Sequence, residues 1–147
     1  MKNNITSNTE LLDIIKYNKV KNFNGVYPKD LMKKPLKDGF YIVNLDDSTG
    51  EGTHWCALYK INNGFSIWWD SYGFPAPENI ESLIHKYEYN KKQIQDIDSS
   101  SCGFYCIGFI LFLHKKQDKK KAFDIFCNLF KNNTKDNEYI LYKLLYG

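Results

Sequence analysis

Cys102 is the side chain in this sequence best placed to act as a nucleophile. It follows a polar lead-in, Ser99-Ser100-Ser101, and opens an almost wholly apolar run, Gly103-Phe104-Tyr105-Cys106-Ile107-Gly108-Phe109-Ile110-Leu111-Phe112-Leu113. Serine is a favoured helix N-cap, because its hydroxyl accepts a hydrogen bond from a free amide of the first turn. The run is shorter than the roughly 20 residues that cross a bilayer, so it reads as a buried helix that starts at the cysteine. Unpaired N–H groups and the helix dipole favour an anion at that end. A thiol placed there tends towards the thiolate, the form that attacks carbonyl carbon.

Such a nucleophile needs a base, a group to orient the base, and donors for an oxyanion. The elements that could carry them begin at Gly39. Phe40-Tyr41-Ile42-Val43-Asn44 is aromatic and β-branched, a buried strand. Asp46 to Gly52 is a polar turn, and Thr53 to Lys60 is a second strand. Asn62-Asn63-Gly64 is a hairpin signal, and Phe65 to Asp70 is the third strand. His54 and Asp70 lie at similar distances on either side of that hairpin, which sets them roughly opposite one another. Cross-strand partners have Cβ atoms about 4.5–5.5 Å apart, close enough for a carboxylate to hold an imidazole.

The flanking chain reads as support. Residues 1–8 look frayed, and Thr9 to Tyr17 has helical spacing with Asn8 or Thr9 as its cap. Asn22 to Lys37 reads as a connection with one short helix, held down by Tyr27 and Leu31. Glu78 to Tyr87 is a helix, and Lys92 to Ile97 a short fourth strand leading to Cys102. Ala122–Lys131 and Asn137–Tyr146 are two further amphipathic helices.

With 147 residues, 43% of them hydrophobic and 16% aromatic, the chain is expected to fold as one domain spanning residues 1–147. The formal charge of +3 is mild and singles out no acidic partner. The four cysteines, Cys56, Cys102, Cys106 and Cys127, lack paired metal-ligand spacing, so no metal site is expected. The start, Met1-Lys2-Asn3-Asn4, has no apolar signal core, and reduced thiols in a cytosol-like compartment are expected. Cys56, Cys106 and Cys127 read as core filling, and His85 and His114 have no partner pattern. Asp96 and Asp98 read as turn formers, and Glu51 as a solvated loop residue.

Taken together, Gly52-Thr53-His54-Trp55, Trp69-Asp70-Ser71-Tyr72-Gly73-Phe74-Pro75, and Gln95 followed by Cys102-Gly103-Phe104-Tyr105-Cys106 resemble the adenovirus-type (adenain-like) cysteine proteases. These share a clan with the SUMO-specific proteases. The resemblance spans about residues 39–113, and its pieces are specific only jointly. By pattern it points to the capsid-maturation proteases of adenoviruses and of virophage- or polinton-like DNA elements.

The resemblance implies an α+β peptidase, with a small mostly antiparallel sheet packed on a central helix that begins at the catalytic cysteine. Cys102 would be the nucleophile, His54 the general base and acid, and Asp70 its orienter, where adenoviral relatives usually carry Glu. Gln95 would be the side-chain donor of the oxyanion hole, partnered by the Cys102 N–H. Trp55 would pack beside the catalytic pair and contribute to substrate binding. Ser101 stands where the SUMO-protease branch typically has Asp, and the chain is short for cradling a folded ubiquitin-like protein; both favour the viral branch.

The implied function is a thiol endopeptidase that processes viral capsid or structural precursors near small residues such as Gly. The implied location is the host cytoplasm or nucleus, a viral factory or the virion, with neither secretion nor a membrane. No cofactor is required by the sequence; a peptide or DNA activator is implied by the resemblance alone. Lys115, Lys116, Lys119, Lys120 and Lys121 could meet DNA phosphates, although a solvated helix end is the simpler reading. The competing functions are an isopeptidase for ubiquitin-like proteins, a catalytically silent capsid or DNA-binding module of the same fold, and, more remotely, a clan-related acyltransferase.

Overall fold

The computed structural model describes residues 7–46, 54–61 and 64–147. In chain order these form α1 (Asn8–Tyr17), β1 (Phe23–Pro28), β2 (Gly39–Asn44), β3 (Trp55–Lys60), β4 (Ser66–Trp69), α2 (Glu78–Ile84), β5 (Tyr87–Tyr89), α3 (Cys102–Leu113), α4 (Lys119–Asn128) and α5 (Asn137–Tyr146). Short 3-10 turns follow β1 and precede α5.

One sheet runs in the order β1-β2-β3-β4-β5. Its middle, β2-β3-β4, is an antiparallel meander, and β1 and β5 add to its two edges in parallel. The expected α+β class is what the chain adopts. The strands β2 and β4 are buried along their whole length and β3 at all but Tyr59, so they read as near-continuous apolar runs and not as alternating ones. Alternate residues serve two cores. Phe40, Ile42, Trp55, Ala57, Ile67 and Trp69 face the larger, built with α1, α3, α4 and α5. Tyr41, Val43, Cys56, Leu58 and Trp68 face the smaller, closed by α2 and Met32.

The centre of the larger core is α3. A helix apolar on every side is stable only when enclosed, and nine of its residues are buried, from Cys102 to Leu113. Trp69 stacks on Phe109 with ring centroids 5.9 Å apart and meets Phe126 at 5.0 Å. Each such buried ring contributes about 1.5–3 kcal/mol. At Gly108 a Cβ would lie 2.9 Å from the Leu141 side chain, so the missing side chain lets α5 close on α3. No helix among the described residues is long and apolar enough to cross a membrane.

Several expectations need correction. The cap of α1 is Ser7, whose hydroxyl accepts the Glu10 N–H in a reciprocal capping box. The segment 22–37 contains an edge strand, β1. Its anchor is the buried Met32, whereas Tyr27 and Leu31 are well exposed. The helix after Pro77 ends at Ile84, because His85 takes a left-handed conformation (φ 59°), and the chain resumes as β5. Residues 92–97 form no strand; their amides turn back onto Ser71, with Ile94 N and Gln95 N both donating to its carbonyl. The α4 helix begins earlier than expected, at Lys119, where Asp118 caps it, and it ends at Asn128. The hairpin residues Asn62-Asn63, and the polar turn beyond Asp46 with Glu51, lie outside the described residues.

Candidate active site

Three connections converge at one end of the sheet. His54 immediately precedes β3 and Asp70 immediately follows β4. The ladder pairs Ala57 with Trp69, Leu58 with Trp68 and Tyr59 with Ile67. Continued by one step it sets Cys56 against Asp70, so His54 reaches Asp70 on the diagonal and not straight across. Diagonal neighbours are within reach of long side chains, and His54 Nε2 lies 2.8 Å from Asp70 Oδ1. The same oxygen accepts the Tyr72 N–H at 2.8 Å. The Tyr72 ring lies over the imidazole, centroids 4.9 Å apart and planes 31° from parallel.

Cys102 is the first residue of α3 and is buried. Ser101 precedes it in the cap position without the expected side-chain cap bond; the hydroxyl in use is that of Ser99, which accepts the Ser101 N–H at 3.1 Å. The Cys102 thiol is near enough to His54 to act on it electrostatically. Because Nε2 is turned to Asp70, the nitrogen left for the thiol is Nδ1. Burial by itself would hold the imidazole neutral. The hydrogen bond to Asp70, the charge of that carboxylate and the neighbouring Cys102 sulfur together outweigh it and raise the His54 pKa from 6.5 to about 9.

Gln95 reaches the same region from the loop before α3 and is fully buried. Its Oε1 accepts the Ser71 hydroxyl at 2.5 Å. Its Nε2 donates to the Ser99 carbonyl at 2.9 Å and meets Ser99 Oγ at 3.3 Å. The nitrogen end of the amide therefore points towards the chain that leads into Cys102. Trp55 is 6% exposed in the same core as Cys102. Its ring supports the site by packing and offers little surface for a substrate to touch.

Among the described residues, His54, Cys56 and Asp70 are the one group of His, Cys and carboxylate side chains with ligand atoms all within 4.8 Å. Two of those atoms, Nε2 and Oδ1, are already bonded to each other. Cys56 is wholly buried, and that burial, together with the neighbouring Asp70 charge, raises its thiol pKa well above the ordinary value. Burial likewise raises Cys106, so neither is a second reactive thiol. Asp96 accepts from Thr134 Oγ1 at 2.7 Å and from the Asp98 N–H, as turn formers do. His114 closes the C-terminal end of α3.

The sequence did not reveal the partners that make this arrangement rigid: Tyr72, Ser71, Ser99, Asn90, which bonds the Asp70 backbone, and, from the far C-terminal helix, Glu138, which accepts from the Ser99 hydroxyl. Tyr72 and Ser71 had a usable signal, since both fall in the turn directly after Asp70. Ser99 lies in the polar lead-in to Cys102, whereas Asn90 and Glu138 meet the site only through the tertiary fold.

The architecture is of the mixed α+β class, with a five-stranded sheet and a central helix opening on a cysteine, and that fold is shared with a protease of known structure. The chain aligns with the crystal structure of the ASFV pS273R protease at a TM-score of 0.54 and 14% identity, covering 97% of this chain and 67% of that one. A selenomethionine crystal structure of the same protease aligns at 0.48 and 17% identity, over 88% of this chain and 69% of that one. At such identities the likeness is one of fold, and function has to be argued from the site. No protein-family model matches the sequence, and no curated protein matches it.

Proposed function

We propose that the chain is a single-domain cysteine endopeptidase with Cys102 as nucleophile, His54 as proton carrier, Asp70 as orienter and Gln95 as oxyanion donor. The observation that carries this reading is the position of His54, bonded to a buried carboxylate through Nε2 at 2.8 Å and facing the Cys102 thiol. A base held at one nitrogen by a buried carboxylate, beside a thiol at a helix N-terminus, is the arrangement that thiol acyl transfer needs.

The steps follow from that geometry. The Cys102 proton passes to His54 Nδ1, and the imidazolium is stabilised by Asp70. Cys102 sulfur bonds to the peptide carbonyl carbon, and the carbonyl electron pair moves to oxygen. Gln95 Nε2 and the Cys102 N–H, one of the unpaired amides of the first helical turn, receive that oxyanion. As it collapses the C–N bond breaks, and the leaving amine takes the proton from Nδ1. Water then attacks the thioester with His54 as base, releasing the acid and restoring the thiol.

The finer assignment rests on the sequence resemblance: viral capsid or structural precursors as substrates, cleavage beside small residues such as Gly, a peptide or DNA activator, and a location in the infected cell or virion. The ASFV protease fold supports it only in kind. DNA contact through Lys115, Lys116, Lys119, Lys120 and Lys121 also belongs to the proposal. Against it, Lys119 Nζ donates to the His114 carbonyl at 3.2 Å and to the Lys116 carbonyl, and Lys120 faces Glu88 at 3.8 Å. Both are contacts of an ordinary helix junction.

The test is iodoacetamide labelling from pH 4 to 9, with the modified cysteine located by mass spectrometry, in the native chain and in His54→Ala. Selective labelling of Cys102 well below pH 8, slowed by the His54 change, is expected. Labelling that rises only near pH 8.5, in both proteins alike and with DNA and candidate precursor peptides added, would mark a silent module of this fold. Incubation with precursor capsid proteins and with ubiquitin-like conjugates then separates endopeptidase from isopeptidase.

A further inference from the structure

The loop that carries Gln95 is held from outside the site by the C-terminal helix. Asn137, the wholly buried first residue of α5, donates from Nδ2 to the Ile94 carbonyl at 2.9 Å and to the Lys131 carbonyl at 2.8 Å. Its Oδ1 accepts the Lys131 N–H at 2.8 Å. Thr134 Oγ1 donates to Asp96 Oδ1. The Ser99 hydroxyl donates to Glu138 Oε1. Three points of one loop, at Ile94, Asp96 and Ser99, are thus fixed by three residues of the α5 region, and Gln95 lies between them.

The last contact has a chemical consequence. A carboxamide can turn end for end at little cost unless its neighbours distinguish oxygen from nitrogen. An ionised Glu138 only accepts, so the Ser99 O–H must point to it. Ser99 Oγ then has only lone pairs to offer, and it takes them to Gln95 Nε2 and the Ser101 N–H. The Ser99 carbonyl at 2.9 Å and this oxygen at 3.3 Å belong to one residue and can share one Nε2 hydrogen, which leaves the second for an oxyanion. Without Glu138 the Ser99 hydroxyl can rotate and donate, and Ser99 itself loses its tether.

We infer that Glu138 is a positioning residue of the active site, holding Ser99 so that Ser99 anchors one N–H of Gln95 and the amide turns its other N–H, and not its oxygen, towards the oxyanion. This rests on the peptidase reading, and the experiment separates the two. Acylation of Cys102 by p-nitrophenyl acetate forms a thioester, releases p-nitrophenolate and passes through an oxyanion. Alkylation by iodoacetamide forms an S–C bond, expels iodide and makes no oxyanion. Gln95→Ala marks the loss of the donor, about 100-fold in acylation.

Glu138→Ala is expected to slow acylation about tenfold and to leave the alkylation rate unchanged. Glu138→Gln, which can still accept through its carbonyl oxygen, should restore most of it. In a Gln95→Ala background Glu138→Ala should add no further loss, as expected of two residues acting through one contact. Equal acylation in the native chain and Glu138→Ala overturns the inference and leaves the peptidase reading standing. Parallel loss of acylation and alkylation also overturns it, since Glu138 would then be merely structural. A native chain that neither acylates nor alkylates at Cys102 removes both.

Discussion

Asn90 and Asp70 clasp one another through side chain and backbone: the Asp70 N–H donates to Asn90 Oδ1 at 3.1 Å, and Asn90 Nδ2 donates back to the Asp70 carbonyl at 2.5 Å. Both residues are buried. The clasp takes over where the parallel pairing of β4 with β5 ends, at Trp68 and Tyr89. It satisfies two backbone groups that water cannot reach and fixes the carboxylate that faces His54. Replacing Asn90 by Ala leaves the buried Asp70 N–H unpaired, while the carbonyl keeps the Gly73 N–H, a cost of about 1–3 kcal/mol. The urea midpoint should fall accordingly, and Cys102 alkylation should slow because Asp70 is no longer held. An unfolding free energy within about 0.5 kcal/mol of the native chain would show that the clasp contributes nothing.

Gly73 closes the same turn from the other side. Its N–H donates to the Asp70 carbonyl at 2.8 Å, and its φ of +84° lies in the region that side chains rarely adopt. A Cβ there would stand 2.8 Å from the Lys92 carbonyl carbon and 2.9 Å from its oxygen. That obstacle is backbone, which cannot swing aside. Gly73→Ala is therefore expected to destabilise the chain by more than the about 1 kcal/mol of an ordinary Gly-to-Ala strain. It should also push the Lys92–Gln95 segment away from Ser71. Native-like stability together with native-like acylation of Cys102 would contradict that coupling.

The residues proposed to carry chemistry were legible because each sits beside a strong local signal. The apolar run after Cys102 declares a buried helix, and the Asn62-Asn63-Gly64 hairpin brings His54 near Asp70 whatever the detailed register. The diagonal offset was not legible, since a two-residue shift leaves the same side chains on the same face. Two parallel edge strands were missed for a physical reason. Both are partly exposed; β5 has only three residues, and β1 holds a glycine with positive φ and ends in proline, so neither shows a strand's periodicity. The segment 92–97 misled in the opposite sense. Ile94 and Gln95 are buried like strand residues, yet their amides bond to Ser71 and not to a ladder. The hold of α5 on that loop joins residues about forty positions apart, which no local pattern encodes.

The proton on His54 gives the site a pH signature. Its pKa in the folded chain, about 9, lies above the unfolded value of 6.5, so folding tightens proton binding there. The resulting stabilisation is complete below about pH 6.5 and is lost as pH rises through about 9, amounting to at most about 3 kcal/mol. Asp70→Asn removes the charge that opposes burial. In that variant the His54 titration, followed by NMR of the ring protons, should move down by several tenths of a unit or more. The stability gap between the native chain and Asp70→Asn should be widest near pH 6 and should narrow steadily towards pH 10 in urea unfolding. A His54 midpoint at or below 6.5 in the native chain, or a gap that does not change across this range, would show that Asp70 fixes the ring without charging it. His54 would then have to act as a neutral base that accepts the Cys102 proton only as the substrate arrives.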